Sequence, residues 1–174
     1  PGQQEGLGER LTTLTFAMPG GSSVELRDRQ YDGKPLPGAP CQGASNGPSR
    51  GTIFDSKDGS GMTFISDTVI EDKWYPGPES VSGTLYLRNG VRYRIDNGGV
   101  SRITDRNGNW VSFAPLSITG YTGYVATDSL GRQTTVQSDN FTTTVTVPGQ
   151  NNTTSTVRMY RNELTLNGCQ QQTD

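Results

Sequence analysis

The residues of this 174-residue chain that are best suited to catalysis are carboxylates, because the chain contains no histidine. Without histidine, the commonest general base, the Ser-His and Cys-His nucleophile pairs and the usual zinc ligand are all missing. Asp67, Glu71 and Asp72 could serve as an acid and base pair in sugar hydrolysis, which needs two carboxyl groups around one substrate. They fall in a predicted loop, and the sequence places none of them opposite another. We therefore predict solvated loop charges and no enzyme activity.

Signals for metals and cofactors are equally sparse. Residues 55–61 (DSKDGSG) resemble a calcium-binding loop, but Lys57 stands in the middle and no glutamate closes the loop. No glycine-rich segment precedes a helical pattern, so phosphate and dinucleotide binding have no support. We predict that the chain holds no metal and no cofactor.

Three short segments share the pattern Asp-x-x-Gly, and strand-like runs flank them. The first joins Asp96 to Gly99, the second Asp105 to Gly108 and the third Asp128 to Gly131. This spacing is typical of a type I turn followed by a glycine bulge, in which the aspartate accepts a backbone hydrogen bond and the glycine takes a positive φ. Polar and apolar residues alternate in the flanking runs, as in half-buried strands. The pattern predicts a meander of antiparallel hairpins whose aspartates are structural.

The composition agrees with an all-β chain of short strands, long loops and little or no helix. Hydrophobic residues make up 30% of the chain, with 23 glycines and 10 prolines, so we expect a thin core. The net charge is −2 and no basic stripe is present, which argues against nucleic acid as a partner. No apolar run approaches the length that spans a membrane, so we predict no membrane insertion.

Three regions follow one another along the chain. Residues 1–82 form a loop-rich region with hairpins predicted around residues 19–21 and 58–59. Residues 83–136 hold the repeated turns, and residues 137–174 hold threonine-rich closing strands and a tail. We expect the three to form one compact unit. Because the chain begins without an initiator methionine, we expect a processed form or a piece of a longer protein.

Two pairs of residues suggest further contacts. Cys41 and Cys169 both lie in loop-like contexts, and a disulfide between them would enclose most of the chain and contribute roughly 4–5 kcal/mol. The alternative is two unrelated free thiols.

Trp74 and Tyr75 precede a Pro-Gly-Pro segment and could stack on a sugar, or they could instead cover a sheet edge.

The turns and their flanks resemble the Tyr-Asp (YD) repeat of the Rhs family, whose core is Tyr-x-Tyr-Asp-x-x-Gly-Arg-x-Thr. Residues 93–99 (YRIDNGG), 103–109 (ITDRNGN) and 128–134 (DSLGRQT) carry the resemblance, and residues 47–67 resemble the region before the repeats in soil-bacterial members. Departures include Thr127, which stands where the family has tyrosine before the aspartate. The similarity covers roughly residues 10–166.

The resemblance implies a β-sheet that spirals into a hollow shell, which encloses a toxin or presents a surface for adhesion. We therefore expect a non-catalytic, extracellular or cell-surface module. Its open sheet edges would join the remainder of a longer Rhs-type chain or copies of itself, growing into a filament if the contact does not close. The alternative is a module that binds carbohydrate or a cell surface. A glycoside-active enzyme is a third and less favoured reading.

Overall fold

A computed structural model describes residues 12–18, 20–34, 48–72 and 80–161. The described residues form twelve β-strands and one short 3-10 helix, Gln150–Asn152, so the prediction of an all-β fold is confirmed. The chain divides into two compact units, Pro1–Trp110 and Val111–Asp174. This division falls inside a strand, whereas the sequence suggested boundaries at residues 82 and 136.

The described residues of the first unit form seven strands, and each pairs antiparallel with the next along the chain. They are β1 (Thr13–Ala17), β2 (Ser23–Asp28), β3 (Ser49–Ser56), β4 (Thr63–Glu71), β5 (Gly83–Tyr86), β6 (Arg92–Asp96) and β7 (Gly99–Thr104). The pairing of β1 with β2 and of β3 with β4 confirms the two hairpins predicted in this region.

The core of the first unit lies on one face of its sheet. Phe54 is paired with Phe64, Phe64 with Leu85, and Leu85 with Tyr93, so directly opposed side chains form an apolar row across four strands. The rings of Phe16 in β1 and Tyr93 in β6 lie 5.7 Å apart. The sheet of this unit therefore curves until its first and sixth strands meet over the row. Among the described residues, the buried apolar ones are Val24, Leu26, Phe54, Met62, Phe64, Ile70, Leu85 and Ile95.

The described residues of the second unit form five strands, the first of which begins one residue before the unit. They are β8 (Trp110–Pro115), β9 (Thr122–Asp128), β10 (Gln133–Ser138), β11 (Thr142–Pro148) and β12 (Thr154–Tyr160). Consecutive strands pair antiparallel without register shifts. Among its described residues, 111–161 with the Asn152 side chain left aside, none is buried.

The register of the second unit places most of its apolar side chains on one face. Opposed residues in an antiparallel ladder point to the same face. One face, here called the valine face, carries the apolar residues Val111, Phe113, Pro115, Tyr124, Ala126, Val136, Val145, Val147, Val157 and Met159, together with the polar residues Thr122, Asp128, Thr134, Ser138, Thr143 and Ser155. The other, the threonine face, carries the polar residues Ser112, Thr127, Gln133, Thr135, Gln137, Thr142, Thr144, Thr146, Thr154, Thr156 and Arg158, together with Ala114, Val125 and Tyr160. The alternation in the sequence thus produces a sheet with a mainly apolar face and a mainly polar face, and the side chains of the apolar face remain partly exposed to solvent.

Candidate functional site

Two of the three carboxylates considered for catalysis, Asp67 and Glu71, do not lie in a loop, so the sequence prediction is wrong for these two. Asp67 and Glu71 belong to β4, which continues to residue 71 because Ser49 of β3 pairs with Glu71. Asp67 accepts two hydrogen bonds from the Arg94 guanidinium, at 2.9 and 2.6 Å. This guanidinium lowers the pKa of Asp67 below its ordinary value. The geometry is that of a cross-strand ion pair.

Asp72 follows β4 directly and belongs to a buried ionic cluster. Arg50 donates from Nε to Asp72 Oδ1 at 2.8 Å and from Nη2 to Asp72 Oδ2 at 2.6 Å. Nη1 of the same guanidinium lies 3.3 Å from Asp28 Oδ2 and donates to the Lys34 carbonyl at 2.7 Å. Thr12 Oγ1 donates to Asp72 Oδ1 at 2.8 Å. The side chains of Arg50 and Asp28 are 1% and 0% exposed, respectively.

The cluster is satisfied throughout, which indicates a structural role. Asp28 also accepts the backbone N–H groups of Tyr31 at 2.6 Å and Gly33 at 2.8 Å. Each oxygen of Asp28 and Asp72 therefore has a donor, and one guanidinium lies between two carboxylates. A buried charge needs such pairing, because an unpaired ion in the interior is strongly destabilising. Sequence reasoning missed this cluster, since its members are separated by up to 60 residues and share no local motif.

The second and third Asp-x-x-Gly segments have the predicted turn geometry. Asp105 Oδ1 accepts the backbone N–H groups of Asn107 and Asn109 at 2.8 and 2.9 Å, and Gly108 has a φ of +91°. The Gly108 N–H donates to the Asp105 carbonyl at 3.2 Å, which closes the turn. This is a type I turn with a glycine bulge, since Gly108 alone among these residues has a positive φ.

Asp128 repeats this arrangement in the second unit and adds an ion pair. Its Oδ1 accepts the N–H groups of Leu130 and Arg132, each at 3.0 Å, and Gly131 has a φ of +78°. The Arg132 guanidinium donates to Asp128 Oδ2 at 2.7 Å. Because this donor and the backbone donors stabilise the charged form, the pKa of Asp128 lies below its ordinary value.

The first segment differs, and the predicted glycine bulge at Gly99 is wrong. Asn97 and Gly98 have φ values of +50° and +78°, while Asp96 pairs directly with Gly99. Two central residues with positive φ make a two-residue type I′ turn, for which Asn-Gly is the preferred sequence. The Asp96 carboxylate accepts hydrogen bonds from the Ser101 hydroxyl and from Arg94 Nε. The local Asn-Gly preference therefore overrides the Asp-x-x-Gly spacing.

Four of the sequence-predicted site residues lie outside the described part of the chain. They are the cysteines Cys41 and Cys169 and the aromatic pair Trp74 and Tyr75. The disulfide and the sugar-stacking contact both remain predictions.

The strand β12 is the described feature best suited to an interaction. All seven of its residues are exposed, with Val157, Met159 and Tyr160 at 59%, 51% and 70%. Within the described residues β12 pairs on one side only, with β11. Its other edge presents backbone donors and acceptors that a further strand can pair with.

Within the described ranges, no group of three or more histidine, cysteine, aspartate or glutamate residues is placed to hold a metal ion. No helix in those ranges has the length and apolarity needed to cross a membrane.

Comparison with known proteins gave no relative: no family model, curated protein or solved structure matches the chain.

Proposed function

We propose that this chain is a non-catalytic structural β-module, an extracellular or cell-surface wall segment of YD-repeat type. It associates through open sheet edges with further repeats or with copies of itself. The observation that carries the proposal is strand β12, which is exposed and which pairs on one side only among the residues that the structure describes. The extracellular or cell-surface setting follows from the resemblance to Rhs proteins.

The edge of β12 lacks most of the features that keep sheet edges from pairing. Proteins protect such edges with short strands, prolines, bulges or inward-pointing charges. β12 has seven residues, no proline, regular pairing with β11 and a single charged residue, Arg158. A long, regular edge of this kind is a template for strand addition, in which backbone hydrogen bonds supply the affinity.

The valine face supplies a second argument for association. A sheet is stable when its apolar face packs against another layer, and none of the described residues of the second unit is buried. Val157 and Met159, near its outer edge, are more than half exposed. Further repeats that continue the sheet and curve over the valine face would remove this apolar surface from water, at roughly 25 cal/mol for each Å².

The carboxylates that already accept hydrogen bonds within the chain support a role without catalysis. Asp28 and Asp72 are held by Arg50, Asp67 is held by Arg94, and Asp105 and Asp128 accept backbone N–H groups. Carboxylates held in this way serve as acceptors that fix neighbouring side chains and turns. A general acid and base pair would instead face one substrate from two sides.

Sedimentation velocity over a wide concentration range tests the proposal. We expect the wild-type chain to self-associate and the variant T156P to do so more weakly, because proline removes an N–H that points away from β11. The matched control T156A loses the same side chain but keeps the N–H, and should associate like the wild type. A wild-type chain that stays monomeric at every concentration would contradict the proposal that copies of the chain associate through this edge.

A further inference from the structure

Along β12, the backbone N–H and C=O groups of successive residues point alternately toward β11 and away from it. Gly149 donates to the Thr153 carbonyl and Arg161 donates to the Phe141 carbonyl, both at 2.7 Å, at the two ends of the β11–β12 pair. These bonds fix the alternation, so odd-numbered residues of β12 bond to β11. The N–H and C=O groups that point away belong to Thr154, Thr156, Arg158 and Tyr160.

We infer that β12 pairs antiparallel with β12 of a second copy, in the register that places Val157 opposite Val157. The inference rests on the proposed function and specifies its partner and geometry. This register sets Thr154 opposite Tyr160 and Thr156 opposite Arg158. All four residues with outward-pointing backbone groups then lie in hydrogen-bonded pairs with those of the other copy.

Other registers are less favourable for identifiable reasons. Centring the pair on Arg158 sets two arginines directly opposite each other, and like charges in that position destabilise a sheet. Centring it on Thr156 leaves Tyr160 without a partner. Only a centre at Val157 uses the full length of the strand and separates the two guanidinium groups.

The side chains of the Val157 register also match. A two-fold axis perpendicular to the sheet keeps the valine face of both copies on the same side. The apolar row of Val136, Val145 and Val157 then continues into the same row of the second copy. The two Val157 residues meet in a non-hydrogen-bonded pair, where Cα atoms are about 4.5 Å apart. The 59% exposed Val157 side chain thereby gains an apolar neighbour.

The symmetry has a consequence for assembly. A contact between identical strands is isologous and closes with two copies. Self-association through β12 therefore yields a dimer, and growth into a filament would need a second edge.

Disulfide cross-linking of the full chain tests the register. In a background carrying C41S and C169S, V157C should form a covalent dimer under mild oxidation, since a separation of about 4.5 Å between Cα atoms permits a disulfide. S155C and M159C should each fail to dimerise alone, because residue 155 faces residue 159. A mixture of S155C and M159C should cross-link.

The outcomes separate the inference from the proposed function. Dimers of S155C alone, or association in sedimentation without any cross-link through β12, would overturn the register and leave self-association standing. A chain that neither cross-links nor associates would overturn both.

A second readout keeps the native cysteines and does not depend on the altered background. V157K and V157E place like charges opposite each other and should each weaken the dimer about fivefold. An equimolar mixture of the two should restore it. Single variants that dimerise like the wild type would overturn the inference.

Discussion

The two units use the same plan of consecutive antiparallel strands, yet among the described residues only the first has a buried core. Eight described apolar residues are buried in the first unit, and none of those described in the second is buried. In the first unit the sheet curves until Phe16 meets Tyr93. The comparison shows that a hairpin meander does not by itself produce a core, because one face must also be covered.

The side chains on the apolar faces explain part of the difference. The first unit places phenylalanine, leucine, isoleucine and methionine on its inner face, and each such side chain contributes about 1.5–3 kcal/mol when buried. The second unit places mainly valine on its apolar face and threonine on the other. Its stability must come from ladder hydrogen bonds, turns and whatever covers the valine face.

Truncating a leucine in each unit should give the largest difference between them. Leu85 is 0% exposed in the first core, so L85A should lower the free energy of unfolding by about 2–5 kcal/mol. Leu130 is 76% exposed in the turn of the second unit, so L130A should change it by less than about 0.5 kcal/mol. Chemical denaturation measures both values, and amide hydrogen exchange locates the loss.

Equal effects of L85A and L130A on the free energy of unfolding would contradict this difference between the units, because they would show that Leu130 is buried in a core. Faster amide exchange in β3 to β6 of L85A, with β9 to β12 unchanged, would show that the core stabilises the first unit alone.

Glycine substitutions in one turn of each unit should have intermediate effects. Gly131 has a φ of +78° with no heavy atom near its missing Cβ, so G131A should cost about 1 kcal/mol through backbone strain alone. Gly99 occupies the same place in its motif but has no positive φ. We expect G99A to change the free energy of unfolding by less than about 0.5 kcal/mol. Thermal denaturation of the two variants compares them directly.

If G99A proved as costly as G131A, the two Asp-x-x-Gly segments would require the same backbone conformation. That result would contradict the type I′ turn at Asn97 and Gly98.

Acidification should produce the smallest of these effects, and it tests the contribution of the aspartates in the turns of the second unit. The Arg132 guanidinium lowers the pKa of Asp128, and the backbone N–H groups of Phe141 and Thr142 lower the pKa of Asp139. Carboxylates whose folded pKa lies below the unfolded value, about 3.9, stabilise the fold fully above that value. This stabilisation disappears as the pH falls through the folded pKa.

The variant D128N isolates one turn of the second unit from the many other carboxylates. We expect denaturation midpoints at pH 6 and pH 3 to differ less in D128N than in the wild type. An unchanged difference would mean that Asp128 adds nothing to the acid sensitivity.

The sequence was sufficient to predict most of the fold, because strand and turn signals are local. Alternating residues predicted β6, β7 and β8, and the threonine-rich run predicted β11. The turns at Asp105 and Asp128 followed from residue type and spacing. The turn at Asp96 was assigned the wrong geometry because two turn signals overlap there, and Asn-Gly is the stronger signal.

The tertiary features could not be read from the sequence. The ionic cluster joins Thr12, Asp28, Arg50 and Asp72, which are brought together only when the sheet of the first unit has formed. Likewise, the pattern that buries Val24 in β2 resembles the one that leaves Val157 exposed in β12. Alternation identifies the apolar face of a strand, while burial depends on what packs against that face.

The ionic cluster also bears on the order in which the chain folds. Most strands pair with their chain neighbours, and such local contacts form quickly because they close short loops. The hydrogen bond from Thr12 to Asp72 closes a loop of 60 residues. The carboxylate of Asp72 can therefore find its partners only after the intervening hairpins are in place. The cluster would therefore form late in the folding of the first unit, after the sheet that it stabilises.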